Sequence, residues 1–152
     1  MKILKKLRDQ IFTKCHHFPA NPYNPHCWII GDPKIGPKCW IGAFTVIDGS
    51  GGLSIGEGTT VSCGVHIYTH SAVRRNISAN KYPQIDRKPV QIGQFCHIGP
   101  NSTILMGVKI GNRVVVGAGS VILEDTEIPD DATVVGNPGR VINLRSNKLW
   151  EK

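Results

Sequence analysis

An aliphatic side chain returns at every sixth position through the second half of the chain: Ile92, Ile98, Ile104, Ile110, Val116, Ile122, Ile128 and Val134. With about a quarter of residues Ile, Val or Leu, eight successive hits have a chance probability of roughly one in 65,000. The first half carries the same period in two pieces. Ile29, Ile35, Ile41 and Ile47 are six apart, and an insertion around Gly51-Gly52 then resets the phase to Ile55, Val61 and Ile67. Glycine often follows the aliphatic residue, as at Ile35-Gly36, Ile98-Gly99 and Val116-Gly117, and small residues recur four places on, at Thr45, Thr59, Ser102 and Ser120. A period of six matches neither a helix at 3.6 nor a continuing strand at 2. It matches a short strand and a tight corner, repeated. Three such units close a triangular coil, and stacked coils bury one aliphatic residue per unit in a continuous core. The predicted fold is an all-β solenoid.

Between Ile67 and Ile92 the period disappears. This polar, basic stretch is expected to leave the prism as one long excursion loop over about residues 69–89, and such a loop in a regular fold is more often functional than idle. Residues 1–28 read as an N-terminal helix and connector: Ile3, Leu4, Leu7 and Ile11 share one helical face, with Lys2, Lys5, Lys6 and Arg8 elsewhere. That helix is expected to cap the prism or pack in an oligomer, with contact to an acidic membrane surface as the alternative. Residues 29–142 form the repeat domain, and the polar tail 143–152 is expected to cover its open end.

The composition adds 17 glycines and 10 prolines in 152 residues, as a turn-rich fold requires, and a formal charge of +7. That charge favours anionic partners, but no aromatic-basic platform marks a nucleic-acid interface, so nucleic acid is not expected. No apolar run approaches the ~20 residues of a membrane span, and charges interrupt the N-terminal apolar residues, so a cytoplasmic protein is expected. Five cysteines without a CxxC pair imply buried free thiols rather than a disulfide framework or zinc site.

The Ile-Gly-x-x-(Ser/Thr)-x pattern resembles the hexapeptide-repeat acyltransferases, in particular their sugar acetyltransferase branch. The resemblance covers about residues 29–142 and implies a left-handed parallel β-helix of about five coils, assembled as a homotrimer with sites between subunits. It also implies acetyl-CoA as co-substrate, with no metal expected. By the same resemblance, His70, just ahead of the excursion, is the general base. The chemistry suits the residue: acetyl transfer from a thioester removes a proton from the attacking hydroxyl or amine, and a neutral imidazole can accept it. Asp48 and Glu57 are the carboxylates available to orient that imidazole, and the sequence does not choose between them.

For the coenzyme, the resemblance points to Gly117 and Ala118 in the Val116-Gly-Ala-Gly119 corner and to Arg140 in Gly136-Asn-Pro-Gly-Arg140 as a phosphate contact. His66, Arg74, Arg75 and His97 are the candidate substrate contacts; His66 and His97 fall at comparable corners one coil apart if the loop replaces or contains one repeat, with a structural corner role as the alternative for both. Two positions depart from the family. Pro100 has no N–H where several relatives of the galactoside acetyltransferase type offer an oxyanion donor, so either another amide such as Gly99 supplies it or the acetyl group lies differently. Leu123-Glu124 replaces a Thr-Lys pair, so that Lys109, Arg113 or Arg145 would supply the missing cation.

The function expected is acetyl transfer to an amine or hydroxyl of a sugar, nucleotide-linked and destined for surface polysaccharide. A chain of this length lacks the large helical region expected of serine acetyltransferases, which argues against that acceptor. The alternatives are a non-catalytic hexapeptide-repeat scaffold and a carbonic-anhydrase-like hydratase. The latter would need three histidine ligands, for which His66, His70 and His97 supply the number but not the family's spacing.

Overall fold

The computed structural model describes residues 22–144, and within them the sixfold period becomes a parallel β-helix. The first coil holds β1 (Trp28–Ile30), β2 (Lys34–Ile35) and β3 (Trp40–Ile41), and the second β4 (Val46–Asp48), β5 (Leu53–Ile55) and β6 (Thr60–Val61). β7 (His66–Ile67) opens the third coil. The chain then makes the excursion, with β8 (His70–Ser71), a short helix α1 (Val73–Ile77) and β9 (Asp86–Arg87), before β10 (Val90–Ile92) and β11 (His97–Ile98) complete the coil. The fourth is β12 (Thr103–Ile104), β13 (Lys109–Ile110) and β14 (Val115–Val116); the fifth is β15 (Val121–Ile122), β16 (Glu127–Ile128) and β17 (Ala132–Val135). β18 (Arg140–Leu144) turns back antiparallel on β17 and covers that strand's open edge. The architecture is that of the left-handed β-helix.

Three faces result: β1-β4-β7-β12-β15, β2-β5-β10-β13-β16, and β3-β6-β11-β14-β17 closed by β18. Their registers stack the periodic aliphatics in columns. Ile47 pairs with Ile67 and Ile67 with Ile104 on the first face, Ile55 with Ile92 and Ile92 with Ile110 on the second, and Val61 with Ile98 and Ile98 with Val116 on the third. These side chains are buried and form one continuous core. Each contributes about 1.5–3 kcal/mol on leaving water.

The corners explain the rest of the repeat. Three residues after the aliphatic, the chain takes a positive φ at Lys38, Phe44, Phe95, Asn101, Arg113, Asp125 and Asp131, and glycine fills the same place at Gly58, Gly64, Gly107 and Gly119. A non-glycine residue there costs about 1–2 kcal/mol. The position just after the aliphatic lies against the next coil: a Cβ on Gly42 would meet the Cys63 nitrogen at 2.5 Å. The small residue four places on ties the corner together. The Ser102 hydroxyl lies 2.7 Å from the Gly99 carbonyl oxygen, and the Thr59 hydroxyl donates to that of Gly93 at 2.9 Å.

Two cysteines do the same work: the Cys39 and Cys96 thiols donate to the carbonyls of Gly56 and Gly111. Burial pushes the Cys96 thiol above its ordinary pKa. Cys27 is buried too, but Cys63 is exposed, against the expectation of buried thiols, because it sits on the outer side of a corner. The expected N-terminal helix, Cys15 and all of the tail beyond Leu144 lie outside the described residues.

Both irregularities fall at one prism edge. The insertion lies between β4 and β5 and the excursion between β7 and β10, so each lengthens the corner joining the first face to the second, one coil apart.

Candidate functional site

Ile67 and Thr69 are buried, and alternation along the extended chain turns His66, Tyr68 and His70 to the opposite, half-buried side. His70 begins the excursion and pairs across the β8–β9 ribbon with Arg87. One coil earlier Asp48 ends β4. Its carboxylate is fully buried, and Oδ2 lies 2.6 Å from His70 Nδ1. The Thr69 N–H donates to the same oxygen at 2.8 Å, and the Ser50 N–H donates to Oδ1 at 2.9 Å. Burial raises the pKa of this carboxyl, but hydrogen bonds from Thr69, Ser50 and His70 outweigh it and hold the group well below the usual carboxylate range.

An anion at Asp48 fixes the imidazole. Nδ1 donates to the carboxylate, so in the neutral ring Nε2 carries the lone pair. The ring is 38% exposed. In that form Nε2 can accept a proton from a neighbouring group. Glu57, the other carboxylate considered, pairs with Lys38 at 2.9 Å on a different edge of the prism.

The insertion is what brings Asp48 here. The Gly51 N–H donates to the Thr69 hydroxyl at 2.8 Å, and a Cβ on Gly51 would stand 2.2 Å from the Thr69 carbonyl oxygen. Only glycine admits so close an approach of the two segments. A signal for Asp48 was present in the sequence: it follows the periodic Ile47 as Tyr68 follows Ile67, one coil on, and the period fails after both.

The remaining candidates do not all converge. His66 lies on the first face, paired with Thr103, with its Nδ1 3.3 Å from the Tyr68 hydroxyl. His97 lies on the third face between Thr60 and Val115. The two are therefore not at comparable corners, because the excursion contains no repeat and only lengthens one corner. Arg74 stacks on the Tyr82 ring, 3.7 Å from its centroid, and binds Asp86 at 3.2 Å, bracing the excursion. Lys88 pairs with Asp125, which fastens the end of the excursion to the last coil. Arg75 and Arg87 have no carboxylate partner among the described residues, and Arg87 is exposed beside His70.

The edge joining the third face to the first carries the coenzyme candidates. The amides of Gly99 and Gly117 donate to the carbonyls of Val116 and Val134, each at 2.8 Å. Gly99 is thus committed to the coil ladder and does not replace the donor lost at Pro100. The Ala118 N–H has no acceptor among the described residues, and Gly119 beside it borders open space. The edge between the second and third faces is closed instead: the Gln94 N–H donates to the Asn112 side chain, and the Asn112 N–H to Asp130.

Lys109 pairs with Glu127 at 2.6 Å, and Arg113 makes two 2.7 Å bonds to Asp131. Both cations named as replacements are therefore already engaged; Arg145 lies outside the described residues. Arg140 is exposed at the start of β18, with one bond to the Gly139 carbonyl. Among the described residues no three His, Cys, Asp or Glu side chains are grouped to hold a metal ion. No helix among them is long and apolar enough to cross a membrane.

The family model described as bacterial transferase hexapeptide (six repeats) matches residues 89–124. A serine acetyltransferase of Buchnera aphidicola subsp. Acyrthosiphon pisum is 33% identical over 119 residues, covering 76% of this chain and 40% of that protein. The putative lipopolysaccharide biosynthesis O-acetyl transferase WbbJ of Escherichia coli is 34% identical over 110 residues, 66% of this chain and 55% of that one. Among solved structures, a point mutant of AntD, an N-acyltransferase from Bacillus cereus in complex with dTDP and coenzyme A, superposes with a TM-score of 0.69. It is 26% identical, with 82% of this chain and 70% of that chain covered. The chain spans about half the length of the curated relatives it matches. The sixfold columns and the glycine corners agree with the family-model match, so residues 89–124 carry the hexapeptide repeat of the bacterial transferases.

Proposed function

We propose that the protein is an acetyl-CoA-dependent acetyltransferase whose acceptor is a hydroxyl or amine of an anionic, nucleotide-linked sugar used in surface polysaccharide synthesis. The observation that carries this reading is the buried Asp48 carboxylate on His70 Nδ1, which leaves Nε2 to act as the base. The acceptor's proton passes to Nε2 as its oxygen or nitrogen attacks the thioester carbonyl. The new C–O or C–N bond forms, the C–S bond breaks, and the imidazolium returns the proton to the leaving thiolate. The ionised Asp48 stabilises the imidazolium in between.

The open Ala118 amide and the Arg140 guanidinium suit the amide arm and phosphates of the coenzyme, and Arg fits phosphate by its planar fork. Arg87, directly across from His70, lies within reach of an acceptor's anionic group. Arg75, His66 and His97 remain proposed substrate contacts, whereas the bonds of Arg74 give it a bracing role. The named relatives support the class: WbbJ is a putative O-acetyl transferase, and AntD was crystallised with dTDP and coenzyme A.

A homotrimer is part of the proposal. The second face shows Lys34, Ser54, Gln91, Lys109 and Glu127 outward, while the first shows Trp28, Val46, His66, Thr103 and Val121 and the third Trp40, Thr60, His97, Val115 and Thr133, with no Lys, Arg, Asp or Glu in either row. The less polar faces are the ones suited to contact with other copies, as cyclic symmetry requires of two different surfaces.

Serine is the second reading. It is favoured by the serine acetyltransferase relatives, and Arg87 fits a carboxylate as well as a phosphate. The argument against serine from chain length carries no weight for a chain that spans half of those relatives. Thiol release from acetyl-CoA, measured with nucleotide-linked amino sugars, simple glycosides and serine, tests all of this. Turnover with one acceptor, reduced ~10²–10⁴-fold by His70→Ala, supports the mechanism. An unchanged rate in the variant refutes His70 as base, and absence of coenzyme binding favours a scaffold.

A further inference from the structure

The Asp48–His70 pair depends on a third side chain that touches neither substrate nor coenzyme in the proposed reaction. Thr69 is completely buried, and every polar group it has is committed. Its N–H and its hydroxyl both lie 2.8 Å from Asp48 Oδ2, the oxygen that meets His70. The hydroxyl is also 3.0 Å from the Asp48 carbonyl and accepts the Gly51 N–H. Its carbonyl accepts the Lys88 N–H at the return of the excursion.

One residue therefore joins three segments: the end of β4, the glycine insertion, and both ends of the excursion. The hydroxyl has a single hydrogen, and its acceptor side is taken by Gly51, so that hydrogen is directed at Asp48. Two donors from Thr69 and one from Ser50 leave the carboxylate one orientation, with Oδ2 facing the imidazole. The backbone donor would survive any substitution that folds; the hydroxyl would not. A buried methyl in its place removes one donor from the carboxylate and leaves the Gly51 N–H without its acceptor.

We infer that Thr69 is a positioning residue: its hydroxyl couples the glycine insertion to Asp48 and so holds the carboxylate against His70 Nδ1, which keeps the ring in its Nδ1–H tautomer. This rests on the reading of His70 as the base, but the tautomer can be read without turnover. Nitrogen-15 NMR of the imidazoles reports whether His70 carries its proton on Nδ1, and His70→Ala assigns the signal. In the full chain the wild type and Thr69→Ser are expected to hold the Nδ1–H form. In Thr69→Val that signal should become a mixture of tautomers, and kcat should fall ~10-fold or more, with KM for acetyl-CoA and acceptor unchanged. Thr69→Ala is used if the valine variant does not fold.

An unchanged tautomer and rate in Thr69→Val, or failure of Thr69→Ser to restore both, overturns the inference. If His70→Ala leaves turnover intact, the base reading fails by itself, and the NMR signal still decides whether Thr69 sets the imidazole.

Discussion

Asp48→Asn tests the site most directly, because it removes a charge and changes almost no volume. The structure dictates how the amide will sit. Oδ2 takes donors from Thr69 N–H, the Thr69 hydroxyl and His70 Nδ1, whereas Oδ1 takes the Ser50 N–H. Placing the amide NH2 at the Oδ2 position would set it against three donors; at the Oδ1 position it opposes one. The carbonyl oxygen therefore keeps the imidazole, and the tautomer survives.

What disappears is the charge that stabilises the imidazolium. A hydrogen bond to a charged group is worth about 1.5–3 kcal/mol, so at 1.36 kcal/mol per factor of ten kcat should fall about 10–150-fold. KM for acetyl-CoA should not move. The Ser50 N–H, left facing another donor, costs about 1–3 kcal/mol of stability. Steady-state thiol release and urea unfolding measure the two effects. A rate within about twofold of wild type would refute the role of the anion. A loss near 10⁴-fold would refute the predicted amide orientation, because that is the scale of a wrong tautomer.

The same carboxyl makes a pH prediction. Its folded pKa is depressed, so its contribution to stability is fully present above the ordinary carboxylate pKa of about 4 and is lost as pH falls toward the lower folded value. The gap in melting temperature between wild type and Asp48→Asn should narrow below about pH 4; narrowing above about pH 5 would contradict it. Gly51→Ala must force the Thr69 backbone aside, and should reduce kcat and lower the unfolding midpoint together; a tolerated alanine would show that the insertion does not hold the site. Arg87→Ala should raise KM for an anionic acceptor ~10-fold or more while leaving coenzyme affinity unchanged, as expected for one lost charge-assisted contact. Equal effects on neutral and anionic acceptors would remove Arg87 from recognition. Trp40→Glu should shift the assembly toward monomer in sedimentation, whereas Lys109→Glu on the polar second face should not.

The fold was legible in the sequence because it is periodic. One aliphatic residue per six, a glycine where the next coil presses close and a small hydroxyl four places on are local requirements repeated at each turn, so the columns from Ile29 to Val134 could be written down before any coordinates. His70 stands out as a candidate in the sequence through its place at the break in the period and through the family resemblance. Its partner was harder. Asp48 lies 22 positions away, and although the period fails after Ile47 as it does after Ile67, only the stacking of coils puts the insertion and the excursion at the same edge.

The other site assignments were decided by what the tertiary structure had already used. Arg74, Lys109 and Arg113 read as free cations in the sequence, yet each is held by a carboxylate from another turn or strand. The Gly99 amide reads as a donor but belongs to the ladder, while Ala118 keeps its N–H because no side chain on the neighbouring coil accepts it. A sequence determines which groups a residue carries and how often a pattern returns. Only the stacked coils decide which donors and charges are spent on the neighbouring turn and which are left for a substrate.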